Sequence, residues 1–186
     1  MTLTKFRTAA ASSLAAAGLL LSLAACSTPA ATPSASSAPA SSTAASSAAA
    51  SEPCTGVKVI IDSSALKNGP ADPAPACVSV DGPTLASKVL DEAKVKTEGT
   101  EAYPKEVVCR VNGVPAADFD IAHKGGTYKE ECKKMPAAFA YWSVWVKPAT
   151  GAWAYAQEGL ATLKVSPGQS LELLYAVDGA PTTPKA

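Results

Sequence analysis

Phe139-Ala140-Tyr141-Trp142-Ser143-Val144-Trp145-Val146-Lys147, followed across Pro148-Ala149-Thr150 by Gly151-Ala152-Trp153-Ala154-Tyr155-Ala156-Gln157, is the stretch that decides the fold. It is dense in aromatic and β-branched residues and broken by a Pro-to-Gly turn, which marks a β-hairpin. All three tryptophans of the chain lie in it. Side chains alternate across a strand, so Tyr141, Ser143 and Trp145 share one face and Trp142, Val144 and Val146 the other. A four-residue loop over 148–151 sets Val146 opposite Trp153 and Val144 opposite Tyr155. Trp142, Val144, Val146, Trp153 and Tyr155 then make the core face. Tyr141 and Trp145 stand on the opposite face beside Ala154 and Ala156, a shallow aromatic shelf and the expected ligand-binding pair.

Outward from this hairpin the chain reads mostly as strand. Val57 to Asp62 alternates and is rich in β-branched residues. Lys67 to Pro75 is a loop with Asn68-Gly69-Pro70, and Val78 to Val80 a short strand. Pro83-Thr84 opens a helix whose apolar stripe is Leu85, Val89, Leu90 and Ala93, with Asp81 or Thr84 as its cap. Glu106 to Val111 is a strand ending in the hairpin-turn pair Asn112-Gly113. Asp118 to Lys134 is polar and irregular. Leu160 to Val165 and Leu171 to Val177 form a further hairpin turned by Ser166-Pro167-Gly168-Gln169. One helix among five or six strands is α+β, a curled mixed sheet packed on that helix.

The N-terminus is a different polymer. Lys5 and Arg7 are the only charges before an apolar run, Leu14 to Ala25, of 12 residues. A spanning helix needs roughly 20. A basic start, a short apolar run and small residues form a secretory signal peptide, expected over 1–25. Leu23-Ala24-Ala25-Cys26 resembles the lipobox of bacterial lipoproteins, which implies lipidation of Cys26 and attachment to the extracytoplasmic face of the cell membrane. Ser27 to Pro53 holds 10 Ala, 9 Ser, 4 Pro, 3 Thr and one Glu. Such a segment buries too little apolar surface to offset its ordering entropy and is expected to be a disordered linker with a reach of roughly 30 Å. The folded domain is expected over 54–179, and 180–186 as a flexible tail. Residues 1–25 carry two of the 16 basic residues and none of the 16 acidic ones, leaving the remainder at net −2. That balance argues against a nucleic-acid partner.

With Cys26 assigned to lipid, Cys54, Cys77, Cys109 and Cys132 remain, the arithmetic of two disulfides in an exported chain. Three pairings are possible; the local one, Cys54–Cys77 with Cys109–Cys132, is preferred. No Cys-x-x-Cys spacing occurs, and His123 is the sole histidine. Asp118, Asp120 and His123 form an Asp-x-Asp-x-x-His cluster, but no fourth ligand can be named for it, so no metal or cofactor is expected. Nucleophile-elbow, phosphate-loop and dinucleotide motifs are all missing, so catalysis is not expected.

The order of elements then carries a resemblance. It rests on a first strand, a helix Thr84-Leu85-Ala86-Ser87-Lys88-Val89-Leu90-Asp91-Glu92-Ala93, and a strand ending Val111-Asn112-Gly113. An aromatic strand from Tyr141-Trp142 and a closing Ser166-Pro167-Gly168-Gln169-Ser170-Leu171-Glu172-Leu173 segment complete it. Over roughly Val57 to Val177 this resembles the transcobalamin-type C-terminal domain family. The resemblance implies a β-grasp-like fold and, as ligand, a corrinoid-like molecule held against one face. The expected function is non-catalytic binding of such a small ligand, feeding an uptake system. The alternative is a structural or adhesive envelope module that contacts wall polymer or a membrane protein.

Overall fold

The computed structural model describes residues 53–185. The expected signal peptide, the expected lipidation site Cys26 and the expected linker up to residue 52 lie outside the described residues. Among those described, no helix is long and apolar enough to cross a membrane.

In chain order the elements are β1 (Val57–Asp62), β2 (Ala76–Val78), β3 (Thr84–Leu85), α1 (Ala86–Glu92), β4 (Thr97–Glu98), β5 (Arg110–Val111) and β6 (Ile121–His123). They continue with β7 (Gly126–Tyr128), β8 (Ala140–Lys147), β9 (Ala154–Tyr155), β10 (Lys164–Val165) and β11 (Ser170–Val177). The class is α+β: one short helix and a principal sheet of order β2-β1-β11-β8-β9. β1 and β11 pair in parallel at its centre, and the other three pairings are antiparallel. Three two-stranded ladders, β3–β10, β4–β5 and β6–β7, surround it.

One face of the sheet makes the core. Val57, Val59 and Ile61 of β1, Leu171, Leu173 and Tyr175 of β11, and Ala140 and Trp142 of β8 pack with Ala86, Val89 and Leu90 of α1. Trp142 meets Tyr175 edge to face at 5.2 Å between ring centres. Its Nε1–H donates to the Val114 carbonyl at 3.0 Å, so the indole is buried without an unpaired polar atom. The four cysteines pair locally as preferred, Cys54–Cys77 and Cys109–Cys132, each over a separation of 23 residues. The first ties the lead-in of β1 to β2. The second ties the lead-in of β5 to the loop after β7.

Several expectations give way to tertiary pairing. The helix begins at Ala86 rather than Pro83, because Thr84 and Leu85 are drawn into a ladder with β10. Leu85 is therefore 38% exposed and leaves the apolar stripe. Neither Asp81 nor Thr84 caps the helix. Its first amides are satisfied from across the fold instead: Ala86 N–H donates to Leu163 C=O and Ser87 N–H to Leu160 C=O. Residues 160–165 do not pair with β11, both of whose edges are already taken by β1 and β8. The strand expected over 106–111 shortens to Arg110–Val111. Its turn is as expected: Asn112 and Gly113 have φ of 52° and 76°, and Val111 and Val114 exchange both backbone bonds, a two-residue hairpin turn. The segment 118–134 is not wholly irregular, since β6 and β7 form a hairpin there. In the expected tail, Pro184 is buried.

The face of the sheet opposite the helix carries a buried acid. Glu172 of β11 is 1% exposed and its Oε2 has no hydrogen-bond partner. Burial, and then the neighbouring Asp62, push its carboxyl up to about 7, against an opposing pull from Lys58. The folded state thus holds this proton more tightly than the unfolded chain does. Stability from this group is full below the ordinary carboxyl range, near 4.5, and falls as pH rises towards 7. Thermal unfolding followed from pH 5 to pH 8 is expected to show a declining midpoint that Glu172→Gln flattens. An equal decline in the variant would assign the pH dependence to other groups.

Candidate functional site

β8 is eight residues long, but β9 pairs only with Trp145 and Val146. One more bond, Ala156 N–H to Val144 C=O at 2.8 Å, continues the ladder before the chain turns away. From Ala140 to Ser143, β8 therefore has no strand on its outer side among the described residues. Beside that open edge lies a cleft of about 500 Å³. Its floor is Tyr141, Trp142 and Val144 of β8. Its walls are the segments 106–108, 135–138 and 155–160. Gly159 closes one side: a Cβ there would sit 2.9 Å from the Glu106 carbonyl oxygen, an approach only glycine permits.

The lining is aromatic and aliphatic. Met135 is 60% exposed and Tyr155 43%, two of the four large apolar side chains left open on the described surface. Such side chains gathered at one cleft mark a contact surface. The Tyr141 phenol is raised above its usual range by burial and then by the nearby Tyr155. The only charged groups of the lining are the carboxylates of Glu106 and Glu158, both on exposed residues.

The hairpin register differs by one residue from the expected one. Trp145 stands opposite Tyr155, and Val146 opposite Ala154. A shift of one residue exchanges every side chain of the returning strand between faces. Tyr155 is consequently on the Trp145 side rather than in the core. The two rings meet edge to face at 5.4 Å. Trp145 is 7% exposed, and its Nε1–H donates to Ser143 Oγ at 3.1 Å. The exposed shelf of Tyr141 and Trp145 is thus corrected: Trp145 is packed, and Tyr155 takes the open position. Tyr141 is half-buried and lines the cleft. The expected core residue Trp153 is half-buried too, with Lys147 Nζ 5.8 Å from its ring centre.

The other candidates do not converge. Asp120 pairs with Lys129 at 3.4 Å. His123 stacks on Phe139 at 4.2 Å and places Nδ1 3.9 Å from an Asp178 oxygen. Among the described residues, the one group with ligand-like spacing is Cys109, Glu130 and Cys132, and its two sulfurs are joined to each other. Glu130 there accepts from Cys132 N–H and from the Tyr128 hydroxyl. Burial, and then that bond, push the Tyr128 phenol up to about 12. This cluster fastens the loop after β7 to the second disulfide.

Sequence reasoning reached Tyr141 through strand alternation but missed Met135, Glu106, Glu158 and Gly159. Nothing local marks those four, since the topology alone gathers them.

No protein-family model, curated protein or solved structure matches this chain.

The burial difference has a direct consequence. Trp145→Ala should lower unfolding stability by about 3–5 kcal/mol, the range for a buried aromatic. Tyr155→Ala should cost about 1 kcal/mol, the worth of one edge-to-face contact. Denaturant unfolding of both variants measures this, and equal losses would contradict the packing.

Proposed function

We propose that this chain is a lipid-anchored, extracytoplasmic, non-catalytic binding module whose ligand enters the cleft beside β8. The observation that carries the binding reading is the cleft itself, of a size ordinary for a ligand site. Its floor is aromatic, its exposed apolar side chains are Met135 and Tyr155, and its charge is of one sign. Aromatic faces and carboxylates together favour a ligand that is partly apolar and positively charged. The anchor rests on Leu23-Ala24-Ala25-Cys26 and the linker behind it. Anchoring would hold whatever the domain captures within a linker's length of the membrane.

A β-grasp-like architecture is the finer reading of the α+β fold. It is supported by a mixed five-stranded sheet whose first and last strands pair in parallel at the centre, with antiparallel strands on both sides. The corrinoid-like ligand rests on the resemblance to transcobalamin-type domains. An open cleft of this size would touch one face of such a macrocycle and leave the other to solvent. The envelope-module alternative would use the same apolar surface against a polymer or a membrane protein.

Tryptamine, an aromatic cation, is a suitable first probe for the full chain carrying an amide-nitrogen label. Its shifts are expected to map to 106–108, 135–138, 141–144 and 155–160, and to vanish in Tyr141→Ala/Tyr155→Ala. Shifts scattered over the surface, or unchanged in that variant, would overturn the cleft as the site. Cobalamin titrated in parallel tests the corrinoid version, and silence at millimolar concentration would remove it.

A further inference from the structure

We infer that the natural occupant of the cleft is an extended peptide segment of about four residues, carrying Lys or Arg beside apolar side chains, that adds to the open edge of β8 as a further strand. The inference rests on the cleft being the binding site and names what fills it.

The backbone of β8 supplies the first reason. Ala156 N–H reaches the Val144 carbonyl from the β9 side, and Asp178 N–H reaches the Phe139 carbonyl from the β11 side. In an antiparallel strand these directions alternate. Odd-numbered residues of β8 therefore point their N–H and C=O towards β11, and even-numbered ones point away. The Ala140 N–H is already used by the Ala137 carbonyl. Ala140 is fully buried and does not line the cleft. The Trp142 N–H and C=O point towards the cleft with no backbone partner among the described residues. These are the groups a strand-shaped ligand would bond. Proteins ordinarily cover or blunt such an edge. Here the chain instead bends away at 157–160 and leaves a cleft lined on the strand side by Tyr141, Trp142 and Val144.

The lining supplies the second reason. Strand addition draws affinity from main-chain bonds and selectivity from the surfaces met by alternate side chains. Apolar residues of an added strand would meet Val144, Met135 and Tyr155. Glu106 and Glu158, with no cation among the lining residues, would favour a basic segment. The same charge argues against two other occupants. The chain's own linker, 27–53, has no Lys or Arg and one Glu. A second copy docked edge to edge by two-fold symmetry would bring the same acidic rim against itself.

The test uses the full chain and the capped peptide Lys-Val-Lys-Val-Lys-Val-Lys, with two versions N-methylated at alternate residues. Only one set of amides of an added strand faces β8. One methylated peptide should therefore bind at least about ten-fold more weakly than the parent, and the other should bind within about two-fold of it. Hydrogen exchange at the Trp142 amide should slow when the parent peptide is added. Equal binding of both methylated peptides, or equal binding of a Glu-Val version, would overturn the inference. So would a doubling of the free chain's mass in sedimentation that the peptide cannot reverse, which would assign the edge to a second copy. If tryptamine maps to the cleft but the peptide does not bind, the strand falls and the cleft stands. If neither probe enters, both fall.

Discussion

The register between β8 and β11 is the constraint on which the rest depends. With Tyr175 opposite Trp142 and Glu172 opposite Trp145, every even-numbered residue of β8 turns its side chain to the helix side. Trp142 is thereby placed on Tyr175 and under Val114, and its indole hydrogen bond holds the Asn112-Gly113 turn against the sheet. Slipping the pairing by one residue would turn Tyr141 and Ser143 to the helix side in place of Trp142 and Val144. The same register aims the backbone of the even-numbered residues outward. Trp142 thus serves both ends of the structure: its ring fills the core while its peptide groups face the cleft.

The opposite face of the sheet follows from the same pairing. It holds Trp145 on Ser143, with Tyr155 beside it, and the uncompensated carboxyl of Glu172. A buried acid without a full set of partners costs stability once ionised.

The α+β class, the strand β1, the aromatic strand β8, the Asn112-Gly113 turn and the local disulfide pairing were all legible in the sequence. Each depends on information held locally along the chain: β-branched alternation, a turn dipeptide, cysteines 23 residues apart. What failed depended on partners far along the chain. Thr84 and Leu85 carry the start of a helical pattern, yet β10, some 80 residues away, holds them extended. Leu160 to Val165 lies next to β11 in sequence and looks like its hairpin mate, but the parallel entry of β1 occupies that edge. One residue in the 148–153 turn shifts the register and moves Tyr155 to the Trp145 side, where the two rings meet edge to face. The cleft was half legible. Tyr141 could be found by alternation, whereas Met135, Glu106 and Glu158 come from three loops that only the sheet brings together.

A partly open sheet edge is the feature on which the proposed function turns, and amide hydrogen exchange of the free full chain reads it without any ligand. The Tyr141, Ser143 and Trp145 amides, directed at β11, should be strongly protected, while the Trp142 amide between them should exchange far faster. Protection of Trp142 equal to that of its odd-numbered neighbours would mean that the edge is already covered, and would contradict the open edge of β8.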